Sequence, residues 1–255
     1  MNNLFDITGK KIIFTGASGG LGRGMAEGFL EAGAEVVMIG ASAKSVSLAE
    51  EYAAKGLKAK GLQCDLSSRE AVQEGFDKAL EMLGGEIDVL VNAAGIQRRH
   101  ESEKFPISDW DAILEVNLTV PFMLCQLAGR RMIEQGHGGK IINFASMLSF
   151  FGGYTVPAYA ASKGGIAQMT KALCNEWAKY GINVNAIAPG YMDTPMNTAL
   201  TDPSNPRFAE ITGRIPAGRW GTPEDVKGIG IFLASAASDY INGAVIPCDG
   251  GYLVK

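Results

Sequence analysis

The sequence predicts a doubly wound α/β fold, a seven-stranded parallel sheet with helices on both faces, as a single domain over residues 1–255. Two observations carry that expectation. Short runs that are apolar on both faces alternate along the chain with longer segments whose apolar residues recur at i, i+3 and i+4. The first of those short runs also opens directly into a glycine-rich turn and then a helical pattern, the context of a phosphate-binding crossover.

Taken in order, residues 11–15, 35–39, 60–64, 88–91, 140–145, 183–188 and 244–247 read as buried strands. Residues 22–32, 69–83, 110–135 and 158–180 carry helical spacing between them. Right-handed crossovers then wind the helices over both faces of the sheet. One stretch, 193–216, reads as irregular. It holds Pro195, Pro203, Pro206 and Pro216 around a polar centre, and its length suggests a lid over a site.

Composition narrows the function. Hydrophobic residues at 47 % and charged residues at 20 % describe a globular chain rather than a disordered one. A net charge of −4 argues against nucleic acid, and the pairs Arg98-Arg99 and Arg130-Arg131 are too short to make a basic patch. No apolar run reads as long enough to span a membrane, and Met1 to Asp6 lack the layout of a signal peptide. Cys64, Cys125, Cys174 and Cys248 are widely spaced, as expected for reduced thiols in the cytoplasm. With His100 and His137 the only histidines, no metal site is expected.

The turn Gly16-Ala17-Ser18-Gly19-Gly20-Leu21-Gly22 is the expected pyrophosphate cradle. Gly16 suits a tight turn, Gly20 a close backbone approach and Gly22 the packing of helix on strand, while Ser18 and Leu21 flank the phosphates. The helix that follows would aim its free N–H groups at the anion. Ligands of such sheets lie beyond the carboxyl ends of the strands. Ser42, Asp65 and Leu66 are therefore expected beside the adenosine, and Asn92, Ala93 and Gly95 beside the ribose. Pro189, Gly190, Met192 and Thr194 are expected near the far ring. The second strand ends in Gly40-Ala41-Ser42-Ala43-Lys44, without the acid that selects NAD or the arginine that accommodates NADP, so these residues leave the coenzyme open.

Tyr159 and Lys163 stand one helical turn apart and share a face. A nearby ammonium is expected to pull the phenol down from its ordinary pKa of ~10, into the range of a useful acid and base. Ser146 follows the fifth strand and would stabilise developing alkoxide charge. Asn117 is a candidate to hold a proton-carrying water next to Lys163.

Thr15-Gly16-x-x-x-Gly20-x-Gly22, Asn92-Ala93-Ala94-Gly95, Asn117, Ser146, Tyr159-x-x-x-Lys163, Pro189-Gly190 and Asp249-Gly250-Gly251 together resemble the short-chain dehydrogenase/reductase family over almost the whole chain. Ala93 departs from the family's usual second asparagine. The resemblance implies four catalytic residues (Asn117, Ser146, Tyr159, Lys163), hydride transfer at nicotinamide C4, NAD or NADP as cofactor with NAD favoured, and a homotetramer. Residues 95–99, 145–150 and 216–221 are similar to members that act on sugar acids, which implies a hydroxyl or keto carbon of a sugar acid as the reacting centre. Arg98 or Arg99 would pair the carboxylate through a bidentate fork, and Met147, Gly153 and Tyr191 would shape the pocket wall. A 3-oxoacyl-carrier-protein reductase shares the four residues but docks an acidic carrier on basic positions, which here read Gln135-Gly136 and Asn175. A silent dinucleotide-binding regulator is the non-enzyme alternative, and its signature would be a lost Tyr or Lys.

Overall fold

In the computed structural model, residues 3–255 are described, so Met1 and Asn2 of the leader reading lie outside the described residues. Seven strands form one sheet: β1 (Lys11–Thr15), β2 (Glu35–Gly40), β3 (Ala59–Gln63), β4 (Val89–Asn92), β5 (Gly139–Phe144), β6 (Ile182–Pro189) and β7 (Val245–Cys248). Their order is β3-β2-β1-β4-β5-β6-β7, and every neighbouring pair is parallel.

Alternate residues of each central strand feed two different cores, which is why the strands read as unbroken apolar runs. Ile12 and Phe14 pack with Val36, Met38, Val89 and Val91 under α1 (Gly20–Glu31), α2 (Lys44–Ala54) and α9 (Lys227–Ala234). Ile13, Val37, Ile39 and Leu90 point the other way, under α3 (Arg69–Met82), α5 (Val120–Gln135) and α6 (Pro157–Trp177). The order of strands reverses between β1 and β4, so the ligand crevice opens at their carboxyl ends.

Two regions differ from the sequence expectation. Residues 107–135 form one continuous helix, α4 (Ile107–Leu114) and α5 joined by a π-helical turn at Glu115–Thr119. By length and composition it could cross a membrane, which the run-by-run reading excluded. Here its apolar side, with Val120, Leu124, Cys125, Ala128 and Met132, is laid into the second core. The stretch 193–216 is not irregular. A 3₁₀ turn at Pro195–Asn197 leads into α7 (Thr198–Thr201) and α8 (Pro206–Arg214). Pro195 and Pro206, two of the four prolines that suggested a broken chain, stand in first turns, where their missing N–H costs nothing, and Asn205 caps α8 by accepting from Arg207 N at 2.9 Å. α8 is anchored by buried Ile211 beside Ile215 and Trp220, whereas neither the 3₁₀ turn nor α7 buries a residue.

Candidate active site

A groove of about 430 Å³ runs along the switch point. Its floor at one end is the turn between β1 and α1. Gly16 adopts φ +78°, and a Cβ there would lie 2.5 Å from Ala94 N. A Cβ on Gly22 would lie 2.2 Å from Gly16 O, so the first turn of α1 presses directly on the loop. Gly19 precedes α1 without a side-chain cap, which leaves the leading N–H groups for an anion. That cradle fits the pyrophosphate of a dinucleotide.

Ser18, Gly20 and Leu21 line the same end, Ala93 and Gly95 the middle, and Pro189, Gly190, Met192 and Thr194 the far wall. Ser42 is exposed and lies outside the lining, which takes up Lys44 at the start of α2 instead. Asp65 spends its carboxylate on the turn into α3, accepting from Ser67 N at 2.9 Å and Ser67 Oγ at 2.7 Å. Leu66 faces the second core. Asn92 does not face the groove either. It is buried, and its amide donates to Asn143 Oδ1 at 2.9 Å, tying β4 to β5, while Asn143 donates to Thr170 Oγ1 of α6 at 3.0 Å. Strand alternation sends residue 92 inward, and polarity at a strand end was the wrong cue.

Ser146, Tyr159 and Lys163 converge at the inner end of the groove. Ser146 leaves β5 in extended backbone and caps the short turn Met147–Ser149, its Oγ accepting from Leu148 N at 3.1 Å. Ser149 Oγ in turn donates to Lys163 O at 2.6 Å, which fixes α6 against the strand end. Lys163 is buried, and its Nζ donates to Phe144 O at 2.6 Å and stands 5.6 Å from the centre of the Tyr159 ring. Burial brings this ammonium down to about 8. Burial also pushes the Tyr159 phenol above its ordinary value, while a hydrogen bond with Ser146 and the charge of Arg99 pull it back. The expected lowering by Lys163 is thus corrected. Its ammonium donates to a carbonyl while standing over the ring, burial outweighs it, and Arg99 is a second cation that pulls the phenol back.

Asn117 sits in the π turn, wholly buried, behind Gly95 rather than in the groove. Its Oδ1 accepts from Ile96 N at 2.8 Å and its Nδ2 donates to Ile96 O at 2.9 Å and to Ser162 Oγ at 3.3 Å. It staples the loop after β4 to α6.

A second chamber of about 140 Å³ adjoins the groove and shares Ser146, Tyr159 and Gly190 with it. That volume is well below the ~300 Å³ lower bound of drug-sized sites and suits a small polar molecule. Met147, Gly153 and Tyr191 line it. The adjacent arginines part company. Arg98 pairs with Asp109, which also holds His100 at 2.7 Å, so Arg98 does not line the chamber, while Arg99 turns into it. Arg207 and Arg214 of α8 line it too, and sequence reasoning missed them. Their spacing of seven around Ile211 is a helical face, hidden once the stretch was read as irregular.

A crevice shaped for a dinucleotide, meeting a small chamber at a phenol and a hydroxyl, defines an NAD(P)-dependent oxidoreductase of CH–OH groups. The chain belongs to the short-chain dehydrogenases/reductases: a family model described as enoyl-(acyl carrier protein) reductase matches residues 16–253. It is 46 % identical over 253 residues to the 2-dehydro-3-deoxy-D-gluconate 5-dehydrogenase of Dickeya dadantii (strain 3937), covering 99 % of each chain. Identity to the enzyme of the same name from Bacillus subtilis (strain 168) is 44 % over 256 residues, covering 100 % of this chain and 99 % of that one. A gluconate 5-dehydrogenase from Burkholderia cenocepacia J2315, solved in complex with NADP and tartrate, superposes with a TM-score of 0.93 at 40 % identity, covering 99 % of this chain and 98 % of the other.

Proposed function

We propose that the protein interconverts a secondary hydroxyl and a ketone on a six-carbon sugar acid, in the manner of 2-dehydro-3-deoxy-D-gluconate 5-dehydrogenase or 2-deoxy-D-gluconate 3-dehydrogenase. The observation that carries this reading is the small chamber on Tyr159 with three arginines, Arg99, Arg207 and Arg214, and no Asp or Glu among its described lining residues. Such a wall favours a compact anion over an acyl thioester.

The coenzyme in this reading is NADP rather than the NAD that the family resemblance favoured. No acid stands at the end of β2 to repel a 2′-phosphate, Lys44 lines the groove there, and the Burkholderia relative was solved with NADP. The turn Gly16–Gly22 would hold the pyrophosphate, Ala93 and Gly95 the ribose side, and Pro189, Gly190, Met192 and Thr194 the nicotinamide side. Bound there, the nicotinamide supplies or accepts the hydride.

The remaining steps fall to the chain. Tyr159 gives its phenolic proton to the carbonyl oxygen in reduction and takes it back in oxidation. Ser146 hydrogen bonds the same oxygen as charge develops on it. Lys163 keeps positive charge beside the phenol and hands protons onward, and Arg99 adds a second cation that steadies the phenolate. Asn117 positions the loop that carries Arg99.

The test is spectrophotometric turnover of NADPH and NADH against keto-sugar acids, their neutral analogues and acetoacetyl thioesters. Sugar-acid turnover that is faster with NADPH is expected. Turnover of the thioester alone would overturn the substrate class, and equal use of NADH would overturn the role given to Lys44.

A further inference from the structure

We infer that Arg207 and Arg99 form a two-sided clamp for the substrate carboxylate, one arm from the loop after β4 and the other from α8. This rests on the sugar-acid reading above and assigns a second, so far unassigned, specificity residue.

The orientation of α8 is set by its apolar residues. Ile211 is 3 % exposed among Ile215, Trp220 and Tyr252, so the face that also carries Arg207 and Arg214 turns inward. Phe208 stacks on Trp220 with ring centres 6.1 Å apart and planes 6° apart, and Trp220 Nε1 donates to Thr212 Oγ1 at 2.9 Å. The arm at 207 therefore stands on a fixed support.

Of the three arginines, Arg214 is already engaged, its guanidinium 4.5 Å above the Tyr252 ring. Arg207 and Arg99 have neither an ion pair nor a side-chain hydrogen bond among the described residues, and no carboxylate lines the chamber between them. Two guanidiniums that face one cavity without a counter-ion repel each other and leave their planar donor forks unfilled. One carboxylate between them relieves both defects, with a fork to each oxygen. The guanidinium of Arg99 is held below its ordinary value first by burial and then by the charge of Arg207. Placing the anion here leaves the far end of a small sugar acid to reach Ser146 and Tyr159, which share the chamber.

The test is calorimetric binding of gluconate and of gluconamide to NADPH-loaded wild type, Arg207→Ala and Arg207→Lys, a dead-end pairing in which no hydride can be transferred. Wild type should bind gluconate at least about tenfold more tightly than gluconamide. Arg207→Ala should lose about 10- to 100-fold for gluconate with little change for gluconamide, and Arg207→Lys should recover part of the loss. Binding of NADP within twofold of wild type checks that the variants are folded. Equal losses for both ligands, no loss, or a wild type that does not distinguish them would each overturn the clamp. Because binding is read rather than turnover, the two readings fail separately. Sugar-acid turnover without dependence on Arg207 rejects the clamp alone, and selective gluconate binding without turnover supports the clamp while rejecting the proposed reaction.

Discussion

Gly22→Ala is the sharpest probe of the dinucleotide cradle. The new methyl carbon would stand 2.2 Å from Gly16 O and 2.9 Å from Gly16 C, both backbone atoms with no rotamer to escape into. Real Cβ contacts do not fall below 3.0 Å, so α1 and the loop must part by at least about 0.8 Å. A phosphate bond of ~2.9 Å from the first turn of α1 then stretches to ~3.7 Å, beyond useful range. Losing one charge-assisted bond costs about 1.5–3 kcal/mol, so the NADPH Kd should rise roughly 10- to 150-fold. Alanine gains up to ~1 kcal/mol of helix propensity at the same position, which offsets part of the strain. Gly24→Ala provides the control. Its Cβ meets Pro223 O at 2.5 Å, away from the groove, so it should lower Tm while leaving the Kd much closer to wild type. Fluorescence titration of NADPH with parallel thermal melts measures both. A Gly22→Ala protein with a Kd within twofold of wild type would refute the close approach of α1 as the source of phosphate affinity.

Three further outcomes are expected. Tyr159→Phe should cut kcat by about 10²–10⁴-fold with the NADPH Kd nearly unchanged, and near-normal turnover would remove Tyr159 as the proton donor. With the phenol raised by burial and Lys163 at about 8, reduction should be flat through neutral pH and decline above about pH 8, whereas oxidation, which needs the phenolate, should rise with pH. Initial rates in both directions over pH 6–10 check the signs, and an oxidation rate that fell with rising pH would contradict them. Asn143→Ala removes both the bond to Thr170 and the partner of the Asn92 amide, at a cost of about 2–4 kcal/mol and a Tm lower by roughly 5–15 °C. A melt within 2 °C of wild type would show that this buried network holds little.

The strands were legible to within a residue or two because Ile12, Ile13 and Phe14 serve cores on opposite faces, and a run with no polar alternation needs apolar surroundings on both sides. The groove was legible where its residues follow a strand end or need a bare backbone, as at Gly16, Gly22 and Ser146. Asn92 was not, because a polar residue at a strand tip can point to solvent or to a buried partner, and only the register with Asn143 decides. Arg207 was hidden by prolines, which mark helix starts as well as breaks. The electrostatics of Tyr159 depend on a carbonyl from β5 and a cation from the loop after β4. Sequence spacing on one helix contains neither.

The π turn at Glu115–Thr119 joins two parts of the molecule that are usually tuned apart. Ile96 hangs from Asn117 by both its amide and its carbonyl, and Arg99 lies three residues further along the same loop. Removing one residue from that wide turn would restore regular winding and swing position 117 by about 100° around the helix axis. The loop would lose its hanger, and with it the cation beside the phenol. On the proposed reading, acid-base timing and choice of anion are inherited together through a single irregular turn, so neither can be retuned there without disturbing the other.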